Sequence, residues 1–305
     1  MRDDLVVGIR SDQFIGRKYS RFVKCWETLV GRKALLPGRV RRVMHHFAYL
    51  AIDAYIRPRV ELTRLWQSLP AVQGSLPSAL TVGRALLAFG DPVFLGRFGP
   101  ALVKSVAEKT PATHIHLHAF GKPDERLIKE LSAVQQVSLS WEPNIASGMT
   151  ALQQRRFYQS MRFVRLAQFL EEGNTAFLAI DIDSIVCKNL EQTFEMLEKV
   201  DIGLIIRREF ADPGKRILAA AVFAAPTEKG KRFVRAAADR MLPHIFMAPF
   251  TEKLDQRCFS LTYKKLAGST QIASLPFELA SLGGDDAIIT SYRGSRKDLH
   301  FPSAA

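Results

Sequence analysis

Cysteine is scarce in this chain: three in 305 residues, Cys25, Cys187 and Cys258, far apart and with no CxxC pair. An odd, sparse set argues against a disulfide scaffold and fits a reducing compartment. Long apolar runs are missing too. The longest charge-free stretch near the start, VMHHFAYLAI over Val43–Ile52, has ten residues, whereas about twenty are needed to span a bilayer. Met1 is followed by RDDL and not by an apolar segment, so no secretory signal is expected and the protein reads as cytoplasmic. No internal repeat, low-complexity tract or aromatic-rich nucleic-acid surface is visible, which ranks a pure binding module last and leaves nucleic acid off the partner list.

Acidic residues are also in short supply. The chain has 30 Asp+Glu against 43 Lys+Arg, a net charge of +13. The imbalance is concentrated in residues 1–75, with 14 basic and 6 acidic side chains. A basic leading segment attracts polyanions, whether nucleic acid, anionic lipid headgroups or phosphorylated glycans; a solvated helix surface explains the same charge equally well. Apolar residues at Val40, Val43, Phe47, Ala51 and Ala54 step by three and four, the spacing of an amphipathic helix. SLPAVQGSLPSA, Ser68–Ala79, reads as a linker. The expected organisation is a helical arm over 1–75 and a larger domain over 76–305, with the arm as a candidate peripheral contact to the inner face of a membrane.

Beyond the linker, strand-like and helix-like segments alternate: ALTVGRALLAF, FLGRFGPALVKSVAEK, THIHLHA, PDERLIKELSAVQ, VSLSW, ALQQRRFYQSMRFVRLAQFLEE and TAFLAI. That alternation predicts an α/β fold, a mainly parallel sheet covered by helices on both faces. Ligands of such sheets bind beyond the carboxyl ends of the strands. TAFLAI runs directly into Asp181 and Asp183. Carboxylates two apart in an extended segment point the same way and suit a hard divalent cation, Mg²⁺ or Mn²⁺, with oxygen ligands. Helix capping ahead of NLEQTFEMLEK is the bland alternative, with Asn189 available as the cap. In the helix before the strand, Arg155, Tyr158, Arg162 and Arg165 share one face. Such a stripe can hold diphosphate oxygens and stack on a base; it can equally be a solvated surface.

RRFYQSMRFVRLAQFLEEGNTAFLAIDIDSIV resembles the segment of GT-A glycosyltransferases in which an aromatic- and arginine-bearing helix precedes a strand ending in Asp-x-Asp. The similarity is to the glycogenin and lipopolysaccharide galactosyltransferase group. LDQRCFSL is similar to that group's Asp-Gln motif at the donor sugar, and SYRGSRKDL to its terminal His-x-x-Gly-x-x-Lys motif, with Ser291 in the histidine position. ILAAAVFAA departs from the group's usual Asn-Ala-Gly strand. The resemblance covers about residues 78–300 and implies a GT-A-like, Rossmann-type sheet. It also implies a nucleoside-diphosphate-sugar donor, a UDP-sugar first, and a glycan or lipid-linked glycan acceptor. On this reading Asp181, Asp183 and Ser291 hold the metal. Asp91, Tyr158, Arg162, Asp181 and Lys297 hold the donor nucleotide, and Asp255, Gln256 and Asp285 act at the sugar or acceptor. A HAD-type phosphatase, using Asp181 and Asp183 with GGDD (Asp285, Asp286) as the late acidic pair, is the runner-up. His114, His116 and His118 lie on one strand face, where in-line spacing converges poorly on a single Zn²⁺; packed or hydrogen-bonded histidines are expected.

Overall fold

The structure, a computed structural model, describes residues 49–50, 53–54, 61–75, 83–247 and 253–291. Most of the arm and the Gly294–Lys297 motif lie outside these residues. The strands are β1 (Gln73–Gly74), β2 (Arg84–Gly90), β3 (His114–Phe120), β4 (Val137–Glu142), β5 (Ala176–Asp181), β6 (Ser184–Val186), β7 (Ile202–Ile206), β8 (Ile217–Ala224), β9 (Ile272–Ser274) and β10 (Ile289–Ser291). Eight of them form one sheet in the order β1-β4-β3-β2-β5-β8-β7-β9, and β6 pairs with β10 in a separate ribbon. Strands β2 to β5 are parallel neighbours; β8 runs antiparallel between β5 and β7. The sheet is therefore mixed and mainly parallel, as the alternating pattern predicts. The carboxyl ends of β2 to β5 and of β7 all open onto one edge.

Continuous apolar runs form these strands because both sheet faces are covered. Side chains alternate between layers: Ala85, Leu87 and Phe89 enter one core cluster, Leu86 and Ala88 the other. The first layer is closed by helices α4 (Ala151–Glu172), α7 (Glu228–Met247) and α8 (Leu254–Leu266). The second is closed mainly by α2 (Pro92–Lys109), α3 (Glu125–Ser132) and α5 (Glu191–Met196). Two short helices, α1 (Leu62–Gln67) and α6 (Pro213–Arg216), complete the set used below. Helix starts are written locally. Asp91 accepts from the Phe94 N–H at 2.8 Å ahead of Pro92, and Thr150 with Gln153 forms a reciprocal capping box.

Residues on the arm side of the linker pack against this domain. Tyr49 is 2% exposed, stacks on His244 with centroids 4.9 Å apart, and places its hydroxyl 3.7 Å from the Cys258 sulfur. The Trp66 indole donates to Asp239 at 2.8 Å beneath the Arg235 guanidinium, and Arg165 donates to the Pro70 carbonyl. These contacts cross the composition break near residue 75. No helix among the described residues is long and apolar enough to cross a membrane.

Candidate active site

Strand β5 ends at Asp181, paired in register with Phe89 of β2, and the chain turns through Ile182 and Asp183 into β6. Ile182 is buried under the turn, which leaves Asp181 and Asp183 partly exposed at the carboxyl edge. Neither aspartate caps the following helix. Nor does Asn189, which lies one residue before the N-cap Leu190 and accepts the Glu191 N–H at 2.8 Å.

Arg162 of α4 organises the edge. Its guanidinium pairs with Asp181, lies 3.6 Å from Asp255 of α8, and donates to the Ala219 carbonyl of β8 at 2.8 Å. Three elements distant in sequence thus meet on one side chain that is only 12% exposed. Burial alone would depress the arginine's pKa; Asp181 and then Asp255 outweigh it, and the pKa is raised. Burial also raises the Asp255 pKa, opposed by Arg162 and by the Gln256 N–H, which Asp255 accepts at 2.8 Å. The Gln256 amide is directed elsewhere: with its nitrogen oriented to donate, it reaches the carbonyls of Gly214 at 2.7 Å and Ile217 at 3.2 Å.

The arginine stripe of α4 does not act as one surface. Arg155 is exposed, Arg162 is held by two carboxylates, and Arg165 is fully buried, paired with Glu142. Helical periodicity assigns all three to one face, but α4 is covered by the sheet, α7 and α8, so its second half is buried nearly all round. Arg165 therefore cannot meet a diphosphate. Tyr158 stacks on Phe120 (5.2 Å, 13°) and donates to Asn144 at 3.1 Å. Burial first, and nearby Asp91 last, raise its pKa, while the Asn144 bond lowers it. Asp91 and Tyr158 therefore share the β2–β3 end of the edge, with Asp91 also serving as a helix cap.

In the ribbon, Ser291 is 8% exposed and hydrogen-bonded to Ser184 at 2.8 Å, next in sequence to Asp183. Asp285 is not drawn into the cluster: it occupies an exposed turn with Asp286, ahead of β10, where the strand pairing leads away from Asp183. Lys297 lies outside the described residues. The three histidines form a hydrogen-bonded ladder with strand β4. Ser138 links His114 (2.9 Å) to His116 (2.7 Å), and Ser140 links His116 (2.8 Å) to His118 (2.8 Å). Among the described residues no three His, Cys, Asp or Glu side chains are grouped to hold a metal ion.

Sequence reasoning missed the segment 207–216 between β7 and β8. Because β8 is antiparallel to both neighbours, with Ile180 opposite Ala221 and Ile206 opposite Ile217, this segment overhangs the edge that carries Asp181. The Gln256 amide holds it, and Arg257 packs on Gly214, where an added Cβ would lie 3.1 Å from the guanidinium. The signal was present in RREFADPGKR, a charged, turn-forming stretch between two apolar strands.

No family model matches the chain, and no curated protein does. Among solved structures, the glycosyltransferase GlyE of Streptococcus pneumoniae superposes with a TM-score of 0.50 at 18% identity, over 74% of this chain and 57% of that one. The chain has a glycosyltransferase fold. It spans little more than half the length of that pneumococcal enzyme. The galactosyltransferase LgtC, solved with donor and acceptor sugar analogues, is similar with a TM-score of 0.49 at 13% identity, over 69% of this chain and 87% of that one. The glycosyltransferase fold matches the GT-A-like sheet that the Asp-x-Asp segment implies. The phosphatase reading finds no support, since its late acidic pair, Asp285 and Asp286, is remote from Asp181.

Proposed function

We propose that the protein transfers a sugar from a nucleoside-diphosphate sugar, a UDP-sugar first, to a glycan or lipid-linked glycan. The observation that carries this reading is the Arg162 junction. It ties the strand-end carboxylate Asp181 to the buried Asp255 at the carboxyl edge of a glycosyltransferase fold. Asp181 and Asp183 offer fewer protein donors than a resident Mg²⁺ or Mn²⁺ site needs. They fit an ion that arrives on a diphosphate and keeps water in the rest of its shell. Ser291, already bonded to Ser184, would join them only through water or by releasing that bond. When bound, such a cation neutralises charge on the departing diphosphate.

The chain's own residues do the positioning. Arg162 holds the Asp181 and Asp255 side chains in fixed places, so neither must reorganise when a donor arrives. Gln256 holds the 207–216 segment against the site. The Tyr158–Phe120 stack gives the β2–β3 end of the edge an aromatic face on which a base can lie, and Asp91 stands beside it. Lys297 completes the proposed set from beyond the described residues, and Asp285, on the exposed turn that leads away from Asp183, is left out of it. The basic arm would bring the domain to anionic lipid at the inner face of a membrane.

The test is calorimetry of UDP, GDP and CMP, each with and without Mn²⁺. UDP is expected to bind only with the cation, and Asp183→Asn to abolish that cation-dependent binding while melting within a few degrees of the native chain. Binding of UDP to Asp183→Asn at native affinity would refute the assignment.

A further inference from the structure

From the apolar side chains at the starts of α2 and α4 we infer that the site-bearing edge of this domain rests on an anionic lipid bilayer. Val93 is 77% exposed, Leu152 56% and Phe94 43%. All three lie in the first turn of a helix that follows the end of a parallel strand: α2 follows β2, and α4 follows β4. They therefore stand at the carboxyl edge, which also carries Asp181. Apolar side chains exposed singly need no explanation, but several on one rim mark an interaction surface.

Contacts at the strand ends draw the two helix starts together. Gly121, just after β3, lies between them: a Cβ added there would be 2.9 Å from the Pro92 ring and 3.5 Å from the Asn144 Cβ. Asn144 accepts from the Tyr158 hydroxyl of α4 at 3.1 Å and from the Ala146 N–H at 3.0 Å. Gln154 of α4 donates to the Ala146 carbonyl at 3.2 Å. The start of α2, the loop after β4 and the first two turns of α4 thus form one rim. Residues 92–96 and 143–154 hold no ionisable side chain. Cations follow at once. Arg155 is exposed and shares a helix face with Leu152, three residues before it, and Arg156 comes next. The nearby carboxylates are engaged: Asp91 accepts the Phe94 N–H, Asp124 the Leu127 N–H, and Glu125 meets Lys122.

An uncharged, apolar rim with arginines behind it matches a surface that enters the headgroup region of a bilayer. The apolar tips reach the acyl boundary and the cations meet lipid phosphates. The net charge of +13 favours the same anionic surface. This contact is on the catalytic domain and is separate from the basic arm. It sets the bilayer against the edge where an acceptor must arrive. The acceptor is then the lipid-linked glycan and not a soluble one, a step that rests on the transferase reading.

The experiment is co-sedimentation of the full chain with phosphatidylcholine vesicles containing phosphatidylglycerol. The native chain is expected to bind. The double variant Val93→Ser, Leu152→Ser should bind about tenfold more weakly, the scale of withdrawing two apolar side chains from a partly apolar contact. Both positions are exposed, so its melting temperature should stay at the native value. Met196→Ser is the control. Met196 is 62% exposed, but it ends α5, whose Glu191 pairs with Arg84 at the amino end of β2. That change should leave vesicle binding as it was. Failure of the native chain to bind, native binding by the double variant, or an equal loss in Met196→Ser would overturn the inference; the second result would leave vesicle binding to the arm alone. Two further results would also overturn it. Loss of UDP affinity in the double variant would give the rim to the donor site, and a native dimer dispersed by the same changes would give it to a second copy of the chain. Vesicle binding needs no sugar transfer, so it is read separately from the UDP titrations. If UDP fails to bind the native chain, the transferase reading falls and takes only the acceptor assignment with it.

Discussion

Acidification from pH 7 to pH 5 should destabilise this fold through the histidine ladder on β3. His116 and His118 are fully buried, and burial is the main cause holding both imidazoles neutral; His116 is pushed down to about 3 and His118 well below its ordinary value. In the unfolded chain each returns to about 6.5. A base whose folded pKa is depressed contributes stability that is complete above about pH 6.5 and is lost as pH falls toward the folded value. At pH 5 the unfolded chain holds nearly one proton on each histidine and the folded chain holds none. The loss relative to pH 7 is therefore roughly 2 kcal/mol per histidine and about 4 kcal/mol for the pair, a large part of the roughly 5–15 kcal/mol typical of a native protein. Urea unfolding at pH 7, 6 and 5 measures it. Carboxylates and the half-buried His114 also titrate, so the decisive comparison is with His116→Gln. That variant is less stable at pH 7 because its serine bonds are weakened, but it should lose about 2 kcal/mol less than the native chain on reaching pH 5. Parallel pH profiles for the two proteins would refute the reasoning.

Arg162→Gln leaves Asp181 and buried Asp255 without their shared cation and should destabilise by about 3–5 kcal/mol, read as a lower urea midpoint. Asp255→Asn keeps the shape and one hydrogen-bonding oxygen; it is expected to slow UDP-sugar hydrolysis by about two orders of magnitude with UDP affinity nearly unchanged, measured by coupled assay and calorimetry. Tyr49→Ala empties a stacked, fully buried site between α7 and α8 and should cost about 3–5 kcal/mol in urea unfolding, whereas a loss under about 1 kcal/mol would mean that the arm does not support the core.

Much of the frame could be read from the chain because its signals are local. TAFLAI is apolar on both faces and ends in aspartate, so β5 and its exposed end follow together. PDERLIKEL carries its own cap, Asp124, which accepts the Leu127 N–H at 2.7 Å. What could not be read depends on distant partners. Arg162 and Arg165 are three residues apart on one helix, yet one meets Asp181 and the other Glu142, and no periodicity separates them. Trp66 and Tyr49 look like parts of an arm until Asp239 and His244 are placed beside them. The reversal of β8 is likewise absent from its composition, because an apolar run has no direction. That reversal is what carries RREFADPGKR to the edge of the site.

The histidine ladder also has a sense of direction. Each serine hydroxyl has one hydrogen to give, and so does each neutral imidazole, so once His118 carries its hydrogen on Nε2 the bonds from His114 to His118 must all run the same way. Two orientations close the chain. One ends with a bare imidazole lone pair facing the Glu142 carboxylate across 4.0 Å, which repels it. The other turns the His118 Nε2–H toward that carboxylate. Glu142, held by Arg165, thereby fixes the tautomer of every ring behind it: Nε2 protonated and Nδ1 accepting in both His116 and His118, with His114 donating from Nε2. One ion pair under α4 thereby orients five hydrogens along the strand.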